Sequence, residues 1–177
     1  VLKDRYQWFS RPNSSDSGEV QHKDPRAFAR QLTSVLTECC RVLKDDGVLA
    51  FSFHHSRAEG WAAIYEAIIT AGLVVVAAHP VHAELRAASP KTAAKDPISL
   101  DAILVCKKRS QLNIHHVDEH SVIVETEALA KQLENAGMKI STADRFVILA
   151  SQMLIPLSGQ TRDFDYVCRV LQRFLSP

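Results

Sequence analysis

The run from Glu38 to His55, E-C-C-R-V-L-K-D-D-G-V-L-A-F-S-F-H-H, constrains the fold more than any other stretch: it spells the end of a helix, a tight glycine turn and a buried strand. Gly47 suits the positive φ that terminates a helix, and Val48 to Phe53 is a short apolar run rich in strand formers, as a strand covered by helices requires. Upstream, Asp24 followed by Pro25 reads as an N-cap and first helical position, with Phe28, Leu32, Val35, Leu36, Cys39 and Leu43 at helical spacing. A helix from about Pro25 to Leu43 that feeds such a strand is the second half of a doubly wound α/β unit.

The pattern continues downstream. Ser56-Arg57-Ala58-Glu59 has the spacing of a capping box, Trp61, Ile64, Tyr65, Ile68 and Ile69 form one apolar helical face, and Ala71-Gly72 closes that helix. Leu73 to His79 is the next strand and completes a parallel βαβ crossover. After a polar stretch from Pro80 to Ser99, Asp101 to Cys106 supplies another strand, which ends in Lys107, Lys108 and Arg109. The remaining third is helical: Thr126 to Ala136 ending at Gly137, Thr142 to Leu157, and Asp163 to Leu175, with Val122 to Val124 open to reading as a short strand. Three regions result. Residues 1–24 read as the tail of an amphipathic helix (Val1 to Phe9) and a mobile polar loop (Ser10 to Lys23), left from a longer polypeptide; 25–110 form an α/β half-domain; 111–177 form a helical appendage.

Charge and composition exclude several classes. Lys plus Arg number 21 against 20 Asp plus Glu, so no overall basic field marks a nucleic-acid binder and any such contact must come from a local patch. No apolar run approaches the roughly 20 residues of a membrane helix, and a cytoplasmic location is the default. Cys39, Cys40, Cys106 and Cys168 make no C-x-x-C pair and sit in apolar patterns, which predicts reduced core thiols.

Ligands of open α/β sheets bind beyond the carboxyl ends of the parallel strands, here His54-His55 and His79-Pro80. The connection from Pro80 to Ser99 leaves from that rim and carries His82, Glu84, Arg86, Lys91 and Lys95; at about 20 residues without clear secondary structure it has the length of a binding loop. An imidazole at a strand terminus can donate to a phosphate or a base edge, while strand alternation sends His54 and His55 to opposite sides, so one of them has the alternative of a packed or capping role. Trp61, among Ile64, Tyr65 and Ile68, reads as core rather than as a stacking platform, and Glu38 and Arg41 as a surface pair. His115, His116 and His120 read as a solvated turn rather than a zinc site.

The stretch from Glu38 onward, with R-V-L-K-D-D-G, F-S-F-H-H, the following Trp61, P-V-H-A-E and D-A-I-L-V-C-K-K, resembles bacterial adenine-specific DNA methylases of the large multi-segment type. A-G-M-K-I-S-T-A-D-R-F-V-I-L-A-S-Q-M-L is similar to the region that follows their methylase core. The resemblance implies the C-terminal half of a Rossmann-like S-adenosylmethionine-dependent methyltransferase sheet, in which the last strand runs antiparallel between the other two. It also implies adenine in DNA as the target and an upstream part of the same polypeptide as partner. The family holds its cofactor on a Gly-rich turn and grips adenine with a D/N-P-P-Y segment; neither is in this chain, which is therefore expected to be inactive alone and to offer no catalytic residue or metal site of its own. The DNA-facing residues implied are His54, His55, His82, Glu84, Arg86, Lys91 and Lys95. Two other readings stand beside it: a non-catalytic methyltransferase-like module that binds nucleic acid or a subunit, and a methyltransferase acting on RNA or a small molecule.

Overall fold

Asp24 opens the first helix, α1 (Pro25–Val42), by accepting on its side chain from the N–H groups of Arg26 and Ala27, with Pro25 inside the first turn. The computed structural model that includes it describes residues 19–83, 98–111 and 119–175. In order there follow β1 (Leu49–Phe53), α2 (Ala58–Thr70), β2 (Leu73–His82), β3 (Leu100–Lys108), a 3-10 turn (Arg109–Gln111), α3 (Glu119–Asn135), α4 (Thr142–Gly159) and α5 (Phe164–Gln172). The fold is mixed α/β. No helix among the described residues is long and apolar enough to cross a membrane.

The strands form one sheet in the order β1-β3-β2, and both pairings are antiparallel. β1 and β2 run the same way on either side of α2, and β3 returns antiparallel between them, as the family order implies, so the two do not pair with each other. The sheet among the described residues is antiparallel, and no parallel neighbours are present in it. Register explains where its core lies. Phe53, Phe51 and Leu49 face Ala102, Leu104 and Cys106 across one ladder, and Ala78 and Val75 face Leu104 and Cys106 across the other. Along β3, Leu100, Ala102, Leu104 and Cys106 are buried while Asp101, Ile103, Val105 and Lys107 are half-buried, so the second face is the wetter one. On that face of β1, Ala50 and Ser52 are exposed.

The two outer edges of the sheet differ. On β2, Ser158 Oγ of α4 accepts from Val75 N–H at 2.9 Å, and Gln152 Nε2 donates to Ala78 O at 2.8 Å, across the irregularity between Val75 and Ala77. Side chains of α4 thus take up backbone groups that the ladder leaves over. Among the described residues β1 has no second partner strand, and Val48, just before it, is 53% exposed.

The helical tail is tied to the sheet by polar contacts as well as by packing. Asp144, in the first turn of α4, accepts from Ser99 N–H at 2.6 Å, Ser99 Oγ at 2.8 Å and Leu100 N–H at 3.0 Å, and also from Ser141, with which it forms a capping box. Tyr65 of α2 donates to Gln160 O at 2.8 Å and accepts from Arg162 N–H at 2.9 Å, which pins the α4–α5 turn. Trp61, Tyr65, Ile64 and Ile68 are fully buried, as the helical spacing predicts for core.

Four local expectations are corrected. Gly47 is not left-handed, unlike Gly72 (φ 80°) and Gly137 (φ 89°). It donates to Lys44 O in a tight turn, where a Cβ would lie 2.9 Å from Leu43 Cδ1, so space rather than φ requires glycine. Ser56 and Glu59 form no capping box: α2 starts with Arg57 as N-cap and no side-chain cap, and Glu59 instead accepts from Gln172 Nε2 on α5 at 3.2 Å. Val122 to Val124 belong to α3, whose extent exceeds the expected helix by about two turns because Val122 and Ala130 pack into the core. β2 and β3 run past their expected ends, at His82 and Lys108, because continuous pairing with each other outweighs the polar and proline content there. The expected helix tail at Val1 to Phe9 lies outside the described residues, as does most of the loop from Ser10 to Lys23.

Burial pushes the Asp144 carboxyl up, but the N–H and hydroxyl donors of Ser99 and Ser141 more than offset this and hold it below the usual carboxylate value. Its contribution to stability is therefore complete above the unfolded value of about 4 and is lost as pH falls through the lower folded value. Asp144→Ala is expected to cost on the order of 3 kcal/mol, since several buried donors are left without an acceptor, and to flatten the acid limb of the stability profile. Urea denaturation between neutral and acid pH measures both.

Candidate functional site

The carboxyl ends of β1 and β2 and the start of β3 meet at one end of the sheet, since Phe53 pairs with Ala102 while Val81 and His82 pair with Asp101 and Leu100. His54, one residue beyond β1, hydrogen-bonds through Nδ1 to the Asp101 carboxylate on the open face of the sheet. The carboxylate is mostly covered and the imidazole is half-exposed, so Asp101 fixes the ring and leaves the Nε2 edge toward solvent. A ring held this way can accept or donate one proton, or hydrogen-bond an incoming polar group.

His55 turns to the opposite face, as alternation predicts. Its ring stacks near Phe53 with centroids 6.5 Å apart and planes 11° from parallel, and Phe53 meets Trp61 edge-on at 5.0 Å. Trp61 Nε1 donates to His55 O at 2.9 Å, and His55 Nδ1 lies 3.0 Å from Arg57 N and 3.1 Å from Arg57 O, within reach of either backbone group at the start of α2. Gly60 makes the arrangement possible: a Cβ there would lie 2.2 Å from His55 Cγ. Burial lowers the His55 pKa below 6.5, the backbone hydrogen bond with Arg57 opposes this, and the positive charge of Arg57 adds to the lowering. The ring is neutral at pH 7.

His55 and Gly60 line a cleft of about 260 Å³ between the start of α1 and the start of α2, with His22, Lys23, Phe28, Phe53 and Arg57 also on its walls. A second cleft, of about 430 Å³, opens between α3 and α4 beside Ser56; its charged residues, Glu127 and Arg145, are already joined at 2.8 Å. Of the two, the first alone presents charge that no ion pair among the described residues neutralises.

Of the residues predicted to face a ligand, His54 and His82 share the sheet end, with His82 exposed and its Nδ1 3.1 Å from Ala83 O. His55 faces the separate cleft. Glu84, Arg86, Lys91 and Lys95 lie outside the described residues, as do His115 and His116, while His120 is exposed on α3 rather than in a turn. Among the described residues no group of three or more His, Cys, Asp or Glu is placed to hold a metal. Cys106 is buried, which pushes its thiol up to about 12, and Cys168 is raised for the same reason, so neither is a nucleophile. Sequence reasoning misses Asp101, Arg57, Gly60 and Lys23. Two of these carry a signal: an aspartate opening an otherwise apolar strand, and a glycine in the first turn of a helix, where close approach is the usual reason.

Comparison with protein-family models, with curated proteins and with solved structures finds no match to this chain.

Glycine to alanine inside a helix ordinarily stabilises by roughly 0.5–1 kcal/mol. Gly60→Ala is expected to do the reverse, lowering the urea midpoint, because the methyl group displaces the His55 ring. His55 is depressed in the folded state, so native stability declines as pH falls below about 6.5. In Gly60→Ala that decline shrinks and the imidazole titration, followed by NMR, moves back up toward 6.5.

Proposed function

We propose that this chain is the C-terminal part of an S-adenosylmethionine-dependent adenine-N6 DNA methyltransferase of the cytoplasm, with an upstream part of the same polypeptide completing the sheet. The observation that carries the reading is the strand order β1-β3-β2, with an antiparallel strand between two that run the same way, the order implied by the family resemblance of R-V-L-K-D-D-G, F-S-F-H-H and D-A-I-L-V-C-K-K. The outer edge of β1, unpaired among the described residues and preceded by the exposed Val48, supports continuation of the sheet on that side, since an unpaired strand edge is a pairing template.

The residues present do not make a cradle for the cofactor. The Gly-rich turn is absent from the chain, and of the two clefts described, the one at His55 is small, about 260 Å³, while the larger, about 430 Å³, has its charged residues Glu127 and Arg145 joined to each other. In this reading the upstream part supplies the cofactor site and the D/N-P-P-Y grip on the adenine amino group. This chain supplies the rim on the other side: His54, oriented by Asp101, with His82 and the connection bearing Glu84, Arg86, Lys91 and Lys95 facing the DNA.

Calorimetry is expected to find no micromolar binding of S-adenosylmethionine to these 177 residues, whereas the longer polypeptide transfers methyl to adenine in duplex DNA. Micromolar binding by this chain alone, or transfer confined to RNA or a small molecule, overturns the reading. Replacing Arg86, Lys91 and Lys95 together with alanine in the longer polypeptide is expected to weaken DNA binding and to reduce the slope of log K against log salt by about 0.9 for each phosphate that is no longer neutralised. An unchanged slope removes the connection from the interface.

A further inference from the structure

We propose that the cleft between the starts of α1 and α2 is a phosphate-binding site, formed by Lys23, Arg57, His22 and His55. The inference stands on the cleft alone and does not depend on methyl transfer.

Four lining side chains are basic or imidazole, and among the described residues no carboxylate lines the cleft. The carboxylates nearest in sequence each have a partner: Asp24 caps α1, Glu59, whose charge reaches His55, accepts from Gln172, and Glu19 accepts at 3.0 Å from Nε2 of Gln21, a lining residue. Lys23 and Arg57 are exposed and form no ion pair among the described residues, whereas Arg26, Arg41, Lys108 and Arg145 are each paired with an acid. Two cations at one concavity that, among the described residues, no carboxylate lines or pairs with attract an anion.

Geometry narrows the anion. Each imidazole is anchored through Nδ1, His22 by Asp24 N–H at 3.0 Å and His55 by the Arg57 backbone, with its N at 3.0 Å and its O at 3.1 Å, so Nε2 is the nitrogen left for a ligand on both rings. The cleft of about 260 Å³ has room for a small tetrahedral group, and an arginine fork with a lysine and the His22 Nε2–H donor matches the several oxygens of a phosphate. Phe28 and Phe53 on the apolar wall leave room for the group that carries it. Two sources share this chemistry: the phosphodiester of a nucleic acid and a free phosphorylated small molecule.

The test titrates the protein with inorganic phosphate, adenosine 5′-monophosphate and a short DNA duplex, followed by calorimetry and by the imidazole NMR signals of His22 and His55. Saturable binding of phosphate that moves both signals is expected. Lys23→Ala with Arg57→Ala should weaken it about tenfold or more; both side chains are exposed and outside any ion pair among the described residues, so the fold survives, and unchanged dispersion of the spectrum checks this. Lys131→Ala, on an exposed stretch of α3, removes one positive charge elsewhere and should change nothing. A duplex that binds more tightly than the monophosphate through the same two residues identifies a nucleic-acid backbone as the source, and the opposite order identifies a free ligand. Absence of saturable phosphate binding, unmoved imidazole signals, or an equal weakening in Lys131→Ala overturns the proposal.

Discussion

The carboxylate of Asp144 holds together parts of the chain that have little else in common. It belongs to the first turn of α4, yet it takes the N–H groups of Ser99 and Leu100, where the chain enters β3. β3 is the strand on which both other strands depend, because each pairs with it and not with the other. An acceptor at the entry of that strand sets where pairing starts, and a one-residue slip would exchange its buried and half-buried faces. The helical tail is therefore part of what specifies the sheet. The same carboxylate also accepts from Ser141 and so caps its own helix, which means that the start of α4 and the start of β3 are formed by one group. Such a fully satisfied buried network fixes geometry more than it adds net energy.

The two edges of the sheet follow opposite logic. On β2 an isolated irregularity between Val75 and Ala77 breaks the ladder, and α4 answers it with a serine hydroxyl and a glutamine amide at the exposed backbone. Side chains of that kind satisfy the edge and prevent a further strand from joining. On β1 no such cover is present among the described residues, and Val48, just before the strand, is exposed. A sheet that is closed with care on one side and bare on the other has a direction in which it can be extended, and that direction is the physical content of the methyltransferase reading.

Much of this was legible in the residues and some was not. Helix α1 with its Asp24-Pro25 start, the closure of α2 at Gly72, the central apolar strand and the burial of Trp61 all follow from local rules, because at each of these points cap chemistry, periodicity and tertiary packing agree. The failures lie where two local rules compete. Gly47 carries the mark of a helix terminator but is needed for want of space beside Leu43, and a sequence shows no distances. Ser56 and Glu59 have capping-box spacing, yet α2 starts one residue later, with Arg57 as N-cap, and Glu59 is drawn to Gln172 on α5, a contact 113 residues away that local spacing does not reveal. The candidate site was legible as a place, the carboxyl ends of β1 and β2, but not as a pairing: Asp101 is 47 residues from His54, and only the return of β3 between the other strands brings them together.

The two histidines at the end of β1 show how one turn of backbone can separate two tasks. Alternation puts His54 on the open face, where a carboxylate orients it and water reaches it, and puts His55 on the covered face, where burial keeps it neutral. Neither arrangement is needed for packing in the sense that Trp61 is. The α2 helix gives up a side chain at Gly60 to admit an imidazole, at a cost of about 1 kcal/mol in helix propensity. An aliphatic residue at position 55 and alanine at position 60 would build a simpler core with less conformational cost. A polar ring held so tightly beside two cations that no acid among the described residues neutralises is better explained by what it faces than by what it packs against.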